Sequence, residues 1–312
     1  MPDSTRPSTT RSDDSPDIHY RPLPPLKLAL ARTLHATGLS AVGRRMQRLF
    51  KGPHIRVINC HELLPSAAHN FDEQVRFYAQ HYAPVGPQEL DDFHAGRWNA
   101  KRPGLIITFD DGWQCQARYA PPILERHGFV GWFFIPVGFV EEPHARFVRQ
   151  HMRGGDLNPM TWDDLRRLSR KHVIGGHTYS HLELPAGTSQ AVLQHELVDS
   201  KRRLESELDR EITSFAWVRG RECDYGPEAS QVIARAGYRH VFLTTSGVLH
   251  RGDSLLKIPR TNIEARYPPW LVTYALNGIP DLLGRSRRRR IEHILDQRDV
   301  PIFPRSTQSP LA

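Results

Sequence analysis

Cysteine is scarce in this chain of 312 residues. Cys60, Cys115 and Cys223 are the only three, and no two form a C-x-x-C pair. An odd count without paired spacing argues against a disulfide framework and against a cysteine-ligated metal site. It fits a reducing compartment. Long apolar runs are missing as well. Leu26 to Val42 is the nearest approach, and Lys27, Arg32 and His35 interrupt it, so a bilayer-spanning helix is excluded there. The first 25 residues lack the charged-then-apolar pattern of a secretory signal, and the expected location is cytoplasmic or peripheral to a membrane. No internal repeat is visible, which excludes repeat architectures.

Hydrophobic residues make up 39% and charged residues 24%, a balance that supports a buried core. Lysine and arginine number 42 against 34 acidic residues, a net charge of +8. Much of that excess sits in Arg285 and Arg287 to Arg290. Residues 281–312 are therefore expected to be a basic tail, and 1–25 a polar tail rich in Ser, Thr, Pro and Asp. No aromatic interleaving or known module accompanies the arginines, so nucleic acid is not an expected partner. Between the first tail and the main domain, 26–51 is amphipathic. Leu26, Leu30, Leu34, Leu39, Val42, Met46 and Leu49 fall near helical spacing beside Arg44, Arg45 and Arg48. Such a segment either packs on the domain or lies on a membrane surface.

From residue 55 onward, strands alternate with helices. Ile55 to Asn59, Leu105 to Phe109, Val130 to Ile135, Val173 to Gly176, Phe215 to Val218, Val241 to Thr244 and Lys257 to Ile263 read as strands. Helices are expected over Phe71 to Tyr82 with Asn70 as cap, from Thr161 to about Arg170, along Leu193, Leu197, Leu204 and Leu208, and between Pro227 and Gly237. The alternation predicts an α/β fold, a parallel sheet with helices outside it, open or closed into a barrel. Catalytic groups in such folds lie at the carboxyl ends of the strands.

Two strand ends carry chemistry. Thr108-Phe109-Asp110-Asp111-Gly112 follows the second strand, and two adjacent carboxylates there need a cation to remain ionised when buried. His177-Thr178-Tyr179-Ser180-His181 follows the fourth, with imidazoles four residues apart that face one point if the segment coils by one turn. Each string alone is also compatible with an ordinary turn or with surface histidines. Together they suggest a metal held by two histidines and a carboxylate, with open positions for water and substrate.

At these residues the chain resembles the polysaccharide deacetylases of the NodB-homology type, carbohydrate esterase family 4. Thr108 to Gly112 matches the family's T-F-D-D-G, and His177 to His181 its H-[ST]-x-x-H. Pro122 to Gly128, Thr161 to Leu168 and Ala236-Gly237-Tyr238 are similar to further family segments, so the likeness covers about residues 55–265. It implies a distorted (β/α) barrel over 52–280, Asp110 as general base, and Asp111, His177 and His181 as ligands of one divalent ion. Zinc is the first choice, with iron, cobalt or nickel compatible. Ile55 to Pro65 is similar to the opening of the permuted poly-N-acetylglucosamine deacetylase branch, which makes His61 the general acid; Cys60 stands where that branch usually has Tyr. Phe215 to Gly220 departs from the family, with Val218 and Arg219 in place of a Pro and an aromatic. The resemblance gives Trp217, Val218 and Arg219 the oxyanion and substrate groove, and Arg260 the support of the base. The implied substrate is an N-acetylated glycan or a lipid- or nucleotide-linked sugar. A small non-sugar amide, and a catalytically impaired carbohydrate-binding homologue, are the alternatives.

Overall fold

A computed structural model describes residues 25–151 and 157–297. The expected tail over 1–25 lies outside the described residues but for Pro25, as do residues 298–312.

Ten strands form one sheet: β1 (His54–Cys60), β2 (Ala83–Pro84), β3 (Gly104–Phe109), β4 (Gly131–Ile135), β5 (Val173–Gly176), β6 (Ser214–Ala216), β7 (His240–Leu243), β8 (Val248–His250), β9 (Ile258–Pro259) and β10 (Thr261–Asn262). The order is β10-β1-β3-β4-β5-β6-β7-β9, and every pairing along it is parallel. β2 pairs with β3, and β8 runs antiparallel to β1. Closure depends on one short segment. The stretch expected as a single strand over Lys257 to Ile263 is split at Arg260. Its first half pairs with β7 and its second with β1, so one segment joins the two ends of the sheet. The result is a nearly closed, distorted (β/α) barrel.

The period-2 alternation of strands assigns each side chain to the lumen or to the helices. Ile55 and Val57 of β1, Ile106 of β3, Trp132 and Phe134 of β4, Ala216, Phe242 and Ile258 fill the lumen. The next inward positions along three of these strands are polar: Asn59, Thr108 and Arg260. All three are buried and bonded to one another, with Arg260 Nη1 3.3 Å from Asn59 Oδ1 and 3.4 Å from Thr108 Oγ1. The lumen is therefore oily below and polar at the carboxyl end. At the other end the helix Pro87–His94 contributes Leu90 and Phe93 to the lumen cluster, and Asp91 meets His240 at the start of β7.

Outward side chains, including Ile58, Cys60, Ile107, Phe109, Phe133, Phe215 and Val241, pack under the helices. The helix Ala68–His81 begins earlier than its sequence signals. Asn70 does not cap it; its amide donates instead to the carbonyls of Ala265 and Tyr267. The helix Trp162–Leu168 carries the reciprocal Thr161–Asp164 cap. The Leu193 to Leu208 helix holds its leucines in the core but passes through a wider i→i+5 turn at Gln194–Asp199. The 26–51 segment is two helices, Pro25–Ala36 and Leu39–Lys51. Part of the expected basic tail is structured. Arg285–Leu295 is a helix because Ile291 and Leu295, one turn apart, are buried under the arginines.

A buried ion pair pins the C-terminal elements to the barrel. Arg56 of β1 donates through Nη1 and Nη2 to the two carboxylate oxygens of Asp281, both at 2.8 Å. Asp281→Ala removes the carboxylate and leaves the guanidinium buried. The expected loss is about 3–5 kcal/mol by urea denaturation. A loss below about 1 kcal/mol, the size of an exposed pair, contradicts this reading.

Candidate metal-binding active site

The loops after β1, β3, β5 and β10 converge over the polar end of the lumen. Asp110 and Asp111 extend β3, His177 and His181 follow β5, and His61 follows β1. All five are buried. Among the described residues five non-glycine positions have positive φ. Four of them, Asp111 (74°), Thr178 (63°), His181 (61°) and Arg219 (62°), lie in these loops or in the one after β6. The uncommon left-handed conformation thus concentrates in the loops at the carboxyl end of the strands, where Asp111, Thr178 and His181 are buried. Gly112 continues the turn at φ 65°, a conformation it adopts without a Cβ penalty.

Asp111 faces both histidines. Its Oδ1 is 3.1 Å from His181 Nε2 and 3.5 Å from His177 Nε2. The three ligand atoms lie within 4.8 Å of one another. Donors about 2.0–2.2 Å from one tetrahedral ion are separated by about 3.3–3.6 Å, so these spacings fit a shared cation. The donor set, one carboxylate and two imidazoles, suits zinc and also iron, cobalt or nickel. His177 Nδ1 is 2.8 Å from the Ala216 carbonyl. That bond requires the proton on Nδ1 and leaves the Nε2 lone pair for a metal. No cysteine belongs to this cluster; the Cys60 thiol donates to the Ile263 carbonyl.

Asp110 is held differently from its neighbour. Arg260 Nη1 donates to its Oδ1 at 2.7 Å and Asn59 Nδ2 to its Oδ2 at 3.0 Å. Burial pushes its pKa up, but Arg260, then His177 and His61, outweigh that and hold the carboxyl below its ordinary range. It is an ionised carboxylate at neutral pH. Gln116 ties the two loops by donating to the carbonyls of both His61 and Asp110.

His61 Nδ1 lies 2.8 Å from Glu264 Oε1, and its backbone N–H donates to Glu264 Oε2. Burial alone lowers the imidazole pKa. The Glu264 carboxylate, with smaller help from Asp111 and Asp110, reverses this and raises it to about 9. Glu264 and Asn59 were not among the residues singled out from sequence. Neither was Glu196, from the i→i+5 turn, which accepts the N–H of Tyr179 (2.8 Å) and of Ser180 (2.9 Å) and the Ser180 hydroxyl (2.7 Å). It fixes the loop between the two histidines that face Asp111. Such turns often mark functional positions.

The loop after β6 only partly matches the groove assigned to it. Trp217 and Val218 are buried, Trp217 packing on Tyr225. Of the three residues only Arg219 reaches the surface, where its Nε is 2.8 Å from Glu183 Oε1. The Trp217 amide donates to the Phe242 carbonyl at 3.0 Å, so it is not available as an oxyanion donor. A small cavity of about 100 Å³ borders His61, lined by Glu62, Leu64, Ser66, Glu264 and Arg266. The larger cavity, about 370 Å³, lies by Asn70, Phe77 and Thr273, apart from this cluster.

Residues 98–241 match the polysaccharide deacetylase family. The Bacillus subtilis (strain 168) protein YxkH, named for the polysaccharide deacetylases, is 24% identical over 161 residues, 51% of each chain. The match thus spans about half the length of that relative. Among solved structures, the Streptococcus pyogenes deacetylase PplD in complex with acetate superposes with a TM-score of 0.58 at 21% identity, covering 72% of this chain and 97% of PplD. IcaB from Ammonifex degensii gives 0.59 at 23% identity, covering 72% and 98%. At these identities the two structures establish a common fold. The matched residues run through β3 and into β7 and include both histidines, so it is over residues 98–241 that the chain is similar to the polysaccharide deacetylase family.

Proposed function

We propose that this protein is a metal-dependent hydrolase that removes N-acetyl groups from an amino sugar, in a polysaccharide or in a lipid- or nucleotide-linked glycan precursor. One observation carries the reading. Asp111, His177 and His181 turn their ligand atoms to one point, beside a separate, ionised carboxylate and a protonated histidine. The family matched by residues 98–241 and the deacetylases that share the fold support the substrate class.

An amide resists hydrolysis because its carbonyl is a poor electrophile and its amine a poor leaving group. Asp111, His177 and His181 would hold a divalent ion, zinc in the first instance, which when bound would polarise a carbonyl and acidify water toward a pKa of about 7. The remaining work falls to the chain. The Asp110 carboxylate accepts the proton of the attacking water; Arg260 and Asn59 keep it ionised and fixed in place. The Val218 amide is the backbone donor left for the developing oxyanion once Trp217 is engaged with Phe242. His61, bound to Glu264 through Nδ1, presents Nε2 and delivers its proton to the departing nitrogen. The C–N bond breaks, and acetate and a free amine leave.

Three substitutions separate the roles when bound metal and acetate release are measured on N-acetylated glucosamine oligomers. Asp111→Ala is expected to lose both metal and turnover. Asp110→Asn is expected to keep metal and lose about 100-fold or more in kcat. His61→Ala is expected to keep metal with a comparable loss. Metal retained at full occupancy by Asp111→Ala, or undiminished turnover in either of the others, overturns the assignment concerned.

The pH profile tests Glu264. An acid acts while protonated, below its pKa, and Glu264 raises the pKa of His61. Glu264→Gln therefore moves the alkaline limb of kcat/KM to lower pH, with the acid limb unchanged. An alkaline limb that stays in place refutes His61 as the group titrating there.

A further inference from the structure

The helices Pro25–Ala36 and Leu39–Lys51 form a hairpin that reverses at Gly38, whose φ is 74°. One side of it is attached to the domain. Ala31 is buried with Leu271 and Tyr274 of the helix Pro269–Ala275. His35 Nδ1 is 3.0 Å from Thr273 Oγ1, and Ser40 is buried beside Asn277. Gly43 lies so close to Asn277 that an added Cβ would meet its carbonyl at 2.9 Å. The hairpin is therefore a seated element.

Its other side is apolar and uncovered among the described residues. Leu26 is 82% exposed and Val42 54%, and Leu30, Leu39 and Met46 are exposed as well. Leu39, Val42 and Met46 stand at i, i+3 and i+7, which puts them on one face of their helix. Single exposed apolar side chains are ordinary, but a run of five on one small element marks a contact surface. Charge narrows what the contact is. Residues 25–51 contain Lys27, Arg32, Arg44, Arg45, Arg48 and Lys51 and no aspartate or glutamate. A segment that combines exposed apolar side chains with charge of one sign has the composition of a helix lying at an anionic lipid surface.

We propose that this hairpin docks the protein on an anionic phospholipid bilayer, with Leu39, Val42 and Met46 among the acyl chains and Arg45 at the phosphates. Neighbouring elements extend the composition. The helix Pro269–Ala275 also packs against Ile279–Leu283, which exposes Leu282 and Leu283, and the arginine-rich helix Arg285–Leu295 follows. The support of the hairpin is linked to the site, because Glu264, the partner of His61, lies five residues before Pro269. Among the described residues no helix is long and apolar enough to cross a membrane, so the contact is peripheral.

The test is co-sedimentation of the full chain with phosphatidylcholine vesicles, with and without phosphatidylglycerol. Binding to the anionic vesicles is expected, with weak binding to phosphatidylcholine alone. Val42→Asp with Met46→Asp is expected to lower the partition coefficient at least about ten-fold. Arg45→Glu and added salt weaken it by a smaller factor. Circular dichroism verifies that the variants fold. No binding to anionic vesicles, or equal binding by the double variant, overturns the proposal. So does a wild-type dimer in light scattering that the double variant dissociates, since the face then covers a second copy. The readout is partition and not turnover, so its failure leaves the hydrolase reading standing.

Discussion

The ion pair between Arg260 and Asp110 lies where closure of the barrel and chemistry meet. Arg260 is the residue at which the last strand breaks, one half pairing with β7 and the other with β1. It is also the cation that keeps Asp110 ionised in a buried layer with Asn59 and Thr108. A charge of either sign is costly to bury alone, and removing one member of such a pair strands the other. The residue at the junction of the strands thus also holds the carboxylate, through a contact at 2.7 Å.

That contact lets two adjacent carboxylates behave differently. Asp110 and Asp111 are neighbours in sequence, but the left-handed turn at Asp111 sends their side chains to separate partners. Asp110 meets a guanidinium and an amide; Asp111 meets two imidazoles. A similar division governs the histidines. His177 is oriented by a backbone carbonyl, whereas His61 is oriented by a carboxylate that raises its pKa to about 9. One kind of partner leaves a nitrogen lone pair for a metal, and the other stabilises the protonated ring. In the proposed reaction, metal ligand, base and acid are therefore distinguished by second partners and not by residue type.

What the sequence revealed was what is local. The alternation of short apolar runs with helical patterns marked the strands and a parallel sheet with outer helices, because period 2 and period 3.6 are written in consecutive residues; the closed barrel was implied only by the family resemblance. T-F-D-D-G and H-T-Y-S-H were visible for the same reason: each is a turn at a strand end that carries its own polar groups. The supporting residues were not visible. Glu264 is about 200 positions from His61, and nothing in its own segment marks it. Glu196 sits in an amphipathic helix whose leucines account for its pattern, and only the wider turn aims it at Tyr179 and Ser180. The split at Arg260 depends on closure of the ring, a property of the whole sheet. The C-terminal helix was obscured because its arginines dominate the composition while Ile291 and Leu295 alone mark its buried face.

The proposed chemistry requires a single cation shared by Asp111, His177 and His181. X-ray absorption at the metal edge of the loaded protein tests this most directly. The predicted spectrum shows two imidazole nitrogens and oxygen ligands at about 2.0–2.2 Å, with no sulfur. Sulfur scattering at about 2.3 Å, or a spectrum without imidazole, contradicts it.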